Sequence, residues 1–231
     1  MRVLALDSST DWLSVAASDG ARTWERSERT GHAASQRVLG FVDAVLAEVG
    51  WSLQQLDGIA FGAGPGSFTG VRIACGVAQG LALGADLPVC GIATLEAIAQ
   101  SARRAFGDCA VVACLDARMH EVYFAAYRWQ ETHWDVVHPP EVRKPDEIEL
   151  LVDATQFAGA GEGFRAYPQL AQRLALRVVR PELVPDARSI AELALPRLAA
   201  GQCVTAAEAH PLYVRHRVAL TSAERDSGAR L

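Results

Sequence analysis

Four closely spaced glycines mark the stretch of this sequence best suited to bind a ligand. Residues 62–72 read GAGPGSFTGVR and lie between a strand-like apolar segment and a helix-like one. Backbone N–H groups at the positive end of a helix can hold an anion such as phosphate. The glycine spacing is neither that of a Walker A loop nor GxGxxG, and no lysine follows. A sharp turn with close packing explains the glycines equally well, and both interpretations stay open.

Two carboxylates occupy similar places, each at the end of a predicted strand. Asp7 and Asp116 could position a metal–nucleotide through water, and Ser8, Ser9 and Thr10 offer hydroxyl groups to phosphate. Asp-Ser-Ser-Thr is also ordinary turn chemistry. After Asp116 the chain continues Ala-Arg-Met-His, which contains no small hydroxyl residue. The sequence therefore equips only the first of the two places to hold phosphate.

Several kinds of chemistry are disfavoured by residue type and spacing. Lys144 is the single lysine among 22 basic residues, so lysine chemistry would have to fall there. The six histidines contain no HxxxH pair and the five cysteines no CxxC pair, so no metal site is predicted. The formal net charge of −5 gives no general attraction to nucleic acid or anionic membrane. With no signal peptide or spanning segment recognised, we expect a soluble, cytoplasmic protein.

Hydrophobic periodicity and turn signals predict alternating elements in the first half. They indicate strands over Val3–Asp7, Trp12–Ser18, Ala21–Ser27, Leu56–Gly62 and Pro88–Ile92, and helices over Ala33–Val49, Thr69–Gly84 and Thr94–Phe106. Thr94 is the predicted N-cap of its helix. Three antiparallel strands at the start argue against a Rossmann unit, which would run strand–helix–strand.

The same opening pattern returns about 109 residues later. The sequence predicts strands over Cys109–Asp116, Glu121–Arg128 and Thr132–Val137. This repeat predicts an α/β protein of two similar lobes, residues 1–107 and 108–231, each with a mixed sheet flanked by helices and with a cleft between them. We expect the C-terminal segment to be able to pack back on the first lobe.

The later elements are less regular. They predict a helix over Pro145–Leu151, a strand over Phe157–Gly163, a helix near Tyr167–Leu176, and a helix to about Ala200 that opens with a Ser189–Glu192 capping box and is kinked at Pro196. The tail from Thr221 is polar and is expected to fray.

The predicted helix after the glycine string has an unusual surface. Gly76, Gly80 and Gly84 recur at every fourth position, and each costs up to about 1 kcal/mol relative to alanine in a helix interior. Such a stripe needs a packing reason, namely the close approach of another helix from the same chain or from another subunit. The otherwise apolar helix favours the contact between subunits.

These segments together resemble the bacterial TsaB (YeaZ) family. The resemblance rests on Leu4–Thr10, Gly64–Arg72, Leu115–Arg118, Glu121–Tyr123 and Pro211–Arg215, and it is weakest between about Thr132 and Gln202. It implies the actin-like ATPase (ribonuclease-H-like) fold. It also implies a subunit of the machinery that transfers a threonylcarbamoyl group to N6 of the adenosine beside the anticodon in tRNAs reading codons that start with A.

The same resemblance sets the expectations for partners and residues. It implies a non-catalytic partner of the transferase TsaD and of the ATPase TsaE, which would handle ATP and Mg²⁺, with tRNA contacted indirectly and a homodimer as a further option. The first two helices are the expected partner contact, with Arg37, Phe41, Arg72, Ile73, Gly76, Val77, Gly80 and Gly84 at the interface. A vestigial nucleotide or phosphate site would comprise Asp7, Ser9, Thr10, Gly64, Gly66, Ser67 and Asp116. A small ATP-binding enzyme, either an ATPase or a phosphotransferase, is the alternative.

Overall fold

The first lobe is built on a five-stranded mixed sheet. A computed structural model describes residues 1–107, 109–150 and 152–215. Strands β1 (Val3–Asp7), β2 (Trp12–Ser18), β3 (Thr23–Arg29), β4 (Gly58–Gly64) and β5 (Val89–Ala93) form the sheet in the order β3-β2-β1-β4-β5. The first three strands pair antiparallel, and β1, β4 and β5 run parallel. This confirms the antiparallel start predicted from the sequence.

The second lobe repeats this order. Strands β6 (Ala110–Arg118), β7 (Glu121–Gln130), β8 (His133–Arg143), β9 (Phe157–Ala160) and β10 (Val178–Arg180) pair in the order β10-β9-β6-β7-β8. The central strand β6 is antiparallel to β7 and parallel to β9, as β1 is to β2 and β4. The two lobes therefore share one topology, and the predicted duplicated mixed sheet is confirmed.

Within the described residues, six helices cover the sheets. They are α1 (Ala34–Val49), α2 (Phe68–Ala85), α3 (Thr94–Phe106), α4 (Gly163–Ala166), α5 (Gln169–Arg173) and α6 (Ala187–Ala199). Helices α1 and α2 pack on the outer face of the first sheet, and α4 and α5 lie with the outer core of the second. Helices α3 and α6 join residues from both sheets in a third core cluster. The C-terminal part of the chain thus packs back on the first lobe through α6.

Helix α2 buries one face and exposes the other. Val71, Ala74, Cys75, Ala78 and Ala82 are buried at helical spacing, which matches an amphipathic helix lying on a sheet. By length and composition alone α2 could also span a membrane, with a mean hydropathy of 1.3 over 18 residues. Its buried face packs in the core cluster of the first lobe, as in the core helix of a folded domain.

Several local predictions for the later elements are wrong. Pro145–Glu147 forms a single 3₁₀ turn instead of a helix, since Pro145 is buried and its carbonyl accepts from Arg173. The helix near 167–176 is reduced to α5, and β10 was not predicted. Asp186, not Ser189, caps α6 by accepting from the Ser189 N–H group. The predicted frayed tail from Thr221 lies outside the described residues.

Thr94 is a further correction. Helix α3 begins at Thr94, but its N-cap is Ala93 and no side chain caps it. The Thr94 hydroxyl instead accepts a hydrogen bond of 3.1 Å from the N–H group of Gly64. Thr94, which was predicted to cap its own helix, therefore links the start of α3 to Gly64 at the end of β4.

Candidate functional site

The turn after β1 holds a buried carboxylate. Asp7 is fully buried, and its Oδ1 accepts from the Ser9 N–H group at 3.0 Å and from the Ser9 hydroxyl at 2.9 Å. Asp7 Oδ2 has no hydrogen-bond partner among the residues that the structure describes. Burial raises the pKa of Asp7 to about 7, the Ser9 hydrogen bonds oppose that rise, and Asp186 adds to it. The Asp7 carboxyl is therefore expected to change charge near neutral pH.

The glycine string packs directly on this turn. A Cβ on Gly66 would lie 2.4 Å from the carbonyl oxygen of Ser9, and one on Gly70 would lie 1.8 Å from that of Ser8. A Cβ on Gly62 would lie 1.8 Å from Asp7 Oδ2. Only residues without a side chain allow the strand, loop and helix to approach the turn so closely. These contacts favour close packing as the reason for the glycines.

Polar groups of the loop are satisfied within the same cluster. The Ser67 N–H group donates to the Ser9 carbonyl at 2.7 Å, and the Ser67 hydroxyl caps α2 by accepting from the Gly70 N–H group. The Ser8 hydroxyl donates to the Gly70 carbonyl at 2.8 Å. Several donors that would have cradled a phosphate are therefore occupied by the protein itself, and these residues do not fit a phosphate loop in this arrangement.

The remaining residues of the predicted nucleotide site bond to partners outside the Asp7 cluster. The Thr10 hydroxyl accepts from the Trp12 N–H group, and Gly64 bonds to Thr94. Asp116 lies on the second sheet, where both its carboxylate oxygens are bonded to Arg118. The structure thus brings Asp7, Ser9, Gly66 and Ser67 into one cluster and gives Asp116 a partner of its own. The nucleotide site stays a prediction.

The expected partner contact forms an exposed surface on α1 and α2. Gly76, Gly80 and Gly84 are exposed, and a Cβ on any of them would have no atom of the described residues within 4 Å. We call this side of α2 the glycine face. Because described residues leave it open, packing within that part of the chain does not explain the stripe. Leu83 and Phe68 add apolar surface on the same helix, with 77% and 60% of each residue exposed.

Two arginines flank this surface, and each stacks on an aromatic ring. Arg37 pairs with Glu28 at 2.6 Å and lies over the ring of Phe41. Arg72 lies 3.3 Å from the ring centroid of Phe68 and 5.0 Å from that of Tyr213. Such stacking holds the long side chains in place near the surface. Ile73 and Val77 are half-buried beside the glycine face.

The C-terminal segment contributes contacts that periodicity did not predict. The Arg215 guanidinium donates to the Glu121 carboxylate at 2.6 Å and to the Ala117 carbonyl at 3.0 Å. The Leu212 N–H group donates to the Ala63 carbonyl at 2.7 Å. Pro211–Arg215 and Glu121–Tyr123, two of the segments that carried the family resemblance, are therefore neighbours in space. In the sequence, the contact between these two segments was indicated only by their shared resemblance to the family.

Gly70→Ala tests the packing role of the glycines. We expect it to lower the free energy of unfolding by about 3 kcal/mol, because the new Cβ overlaps the Ser8 carbonyl oxygen. Gly76→Ala is the matched control on the same helix, and it should be neutral or raise stability by up to about 1 kcal/mol. Urea unfolding followed by circular dichroism measures both. Equal midpoints for the two variants would contradict the packing role.

Comparison with known proteins identifies the class first. The family model described as TsaD, tRNA N6-adenosine threonylcarbamoyltransferase, matches residues 28–180. The solved structure of YeaZ from Pseudomonas aeruginosa is 38% identical and superposes with a TM-score of 0.86 over 92% of this chain and 99% of that chain. The chain therefore has the actin-like, ribonuclease-H-like fold of TsaD-type domains, with two mixed sheets flanked by helices.

Full-length relatives identify the family. The protein named tRNA threonylcarbamoyladenosine biosynthesis protein TsaB from Escherichia coli is 38% identical over 223 residues, which are 95% of this chain and 96% of that protein. The protein of the same name from Haemophilus influenzae is 36% identical, covering 94% of this chain and 95% of its own length. This chain belongs to the TsaB (YeaZ) family, and the resemblance predicted from the sequence is confirmed.

Proposed function

We propose that this chain is the non-catalytic, dimerising subunit of a tRNA threonylcarbamoyladenosine machinery. In this role it binds TsaD through α1 and the glycine face, and it supports TsaD and TsaE in the transfer of a threonylcarbamoyl group to adenosine N6. The full-length relatives named for this biosynthesis support the pathway. The exposed glycine face supports the role as a binding subunit.

The glycine face is the observation that carries the proposal. Gly76 and Gly80 in the interior of α2, and Gly84 in its last turn, cost helix stability and gain no packing from the described part of this chain. Their cost is offset when a second helix approaches, because the absence of side chains brings the helix axes closer and buries more backbone. The flanking apolar residues Ile73 and Val77 then extend the contact on either side. A TsaD helix or a second copy of α2 would fill this place.

The same proposal accounts for the charge and the glycine loop. A net charge of −5 suits a subunit whose contact with tRNA is indirect and made through the complex. The N–H groups of Ser67 and Gly70 are engaged by Ser9 and Ser67, and we assign ATP and Mg²⁺ to the partner subunits. We place this function in the cytoplasm, away from membranes.

A small ATP-binding enzyme is the second candidate. The observation in its favour is Asp7, whose buried Oδ2 lacks a partner in the cluster where an actin-like fold could receive a nucleotide. An ATPase or phosphotransferase of this kind would need the Ser8–Thr10 turn to part from Gly66 and Gly70 before phosphate could enter.

One set of measurements separates the two candidates. Size-exclusion chromatography of the purified chain with and without TsaD is expected to show a stable heteromeric complex. A reaction that contains TsaD and TsaE but lacks this chain should show no threonylcarbamoyl transfer to tRNA. Titration of the isolated chain with Mg²⁺ and ATP is expected to show no tight binding. Tight Mg²⁺-dependent ATP binding without a TsaD complex would replace the first candidate by the second.

A further inference from the structure

Two cysteines face each other at the edge of the first sheet. Val89 in β5 and Val204, which follows α6, exchange both backbone hydrogen bonds, at 2.8 and 3.0 Å, in antiparallel orientation. One residue further along β5 is Cys90, and one residue back from Val204 is Cys203. In an antiparallel pair, the position next to a hydrogen-bonded pair is a non-hydrogen-bonded pair, whose side chains lie closest.

The two thiols also lie on the same side of the sheet. Cys90 is buried in the core cluster shared by both sheets, and Cys203 packs against that cluster while half-buried. Cys203 lies close enough to Cys90 to raise the pKa of the Cys90 thiol. Non-hydrogen-bonded pairs have Cα atoms about 4.5 Å apart, inside the range of about 4.4–6.8 Å that a disulfide requires. The bond can therefore form without a change of fold.

We propose that Cys90 and Cys203 form a reversible disulfide when the protein meets a low-molecular-weight disulfide such as glutathione disulfide. The Cys203 thiolate attacks one sulfur of glutathione disulfide, so a mixed disulfide forms and one glutathione leaves. The Cys90 thiolate then attacks the Cys203 sulfur, and the second glutathione leaves. Two electrons pass from the protein thiols to glutathione disulfide, and the two thiol protons end on the released glutathiones.

The order of the two attacks follows from the surroundings of the thiols. Burial raises the pKa of Cys90 to about 12, with a further rise from Cys203, whereas Arg197 lowers the pKa and Glu96 raises it. Cys203 is the more accessible thiol and meets the oxidant first. Cys90 reacts second because its partner sulfur is already beside it. Disulfides are uncommon in a reducing cytosol, so we expect this one to form only under oxidising conditions.

The disulfide would fasten the C-terminal segment to the first lobe. Beyond Cys203 this segment passes α2, where the Ala209 carbonyl accepts from Gln79 at 2.9 Å. It then reaches Ala63 through Leu212 and Glu121 through Arg215. Closing the loop between residues 90 and 203 restricts the unfolded chain, so the oxidised protein should resist unfolding. This inference does not depend on the proposed function.

Peptide mapping of the native protein tests the proposal directly. The folded chain is incubated with glutathione disulfide, remaining thiols are alkylated, and tryptic peptides are sequenced by mass spectrometry. The expected product joins peptides 73–103 and 198–215. Because the first of these also contains Cys75, fragment ions must assign the link to Cys90. The Tm of the oxidised protein should be about 5 to 10 °C higher than that of the reduced protein, and it should return to the original value on reduction.

Two variants complete the test. Cys203→Ser should lose both the link and the oxidation-dependent rise in Tm, whereas Cys109→Ser, at another half-buried cysteine, should keep both. Wild-type mapping decides the outcome even if a variant folds poorly. Glutathione retained on Cys203 beside a reduced Cys90, a link from Cys203 to Cys75, or no reaction in the folded protein would each overturn the proposal.

Discussion

Replacing Gly80 by leucine is expected to weaken association with TsaD strongly and to leave a folded monomer. An added Cβ at Gly80 meets no atom within 4 Å in the described part of the chain, and we expect the isolated chain to accommodate the larger side chain. Leucine also has a higher helix propensity than glycine, and α2 should not lose stability. In the complex the same side chain would hold the partner helix away from the glycine face. A loss of affinity of about 100-fold, or about 3 kcal/mol, is expected.

The measurement is size-exclusion chromatography of each variant mixed with TsaD, with thermal unfolding of the isolated chain as the check of folding. Gly76→Leu should behave like Gly80→Leu, because both positions lie in the same stripe. Ala105→Leu, at an exposed position near the end of α3, is the matched control and should bind normally. If Gly80→Leu and the control both elute with TsaD, the assignment of the glycine face as the interface is wrong.

Elements with a strong local pattern could be predicted from the sequence. Three residues of the apolar stripe of α1, Val38, Val42 and Val45, lie in the core, and Gly50 adopts the left-handed conformation that ends the helix. The strands β1 and β2 were predicted with their observed bounds because a buried run and a hairpin signal define them. Local sequence determined these elements, and packing added little to where they start or end.

Residues 145–180 could not be predicted as well because their elements depend on distant contacts. The 3₁₀ turn at Pro145 is held by Arg173, which lies in α5. Strand β10 has three residues and exists by pairing with β9. Short segments of this kind carry too few periodic positions to distinguish a strand, a turn and a helix.

The candidate site shows the same division. The sequence identified the glycine string but left two explanations, because they differ only in what lies opposite the glycines. The structure places the Ser8 and Ser9 carbonyls there, and they come from a turn far earlier in the chain. The open surroundings of Gly76 and Gly80 were equally beyond a sequence pattern, since a stripe looks the same whether or not the chain covers it.

Asp7→Asn is expected to make the stability of the protein less dependent on pH. Burial raises the pKa of Asp7 to about 7 from an ordinary value of 3.8, so the folded state holds a proton that the unfolded state loses more readily. The stability associated with the protonated carboxyl is fully present below about pH 4 and is lost as pH rises through 7. Over that interval the loss is about 4 kcal/mol, because each pKa unit corresponds to about 1.4 kcal/mol.

Asparagine has nearly the same shape, keeps an oxygen that can accept from Ser9, and carries no charge at any of these pH values. Urea unfolding followed by tryptophan fluorescence at pH 5, 6, 7 and 8 measures the difference between variant and wild type. That difference should shift in favour of Asp7→Asn as pH rises and level off above pH 7. Asp153→Asn is the control without a pH trend, because hydrogen bonds from Thr155 lower the pKa of this exposed carboxyl below its ordinary value of 3.8. Asp153 is then ionised in both the folded and the unfolded state from pH 5 to 8, so the difference between Asp153→Asn and wild type should stay constant over this range. A difference between Asp7→Asn and wild type that stays constant from pH 5 to 8 would show that Asp7 is ionised throughout, and that its Oδ2 has a partner in solution.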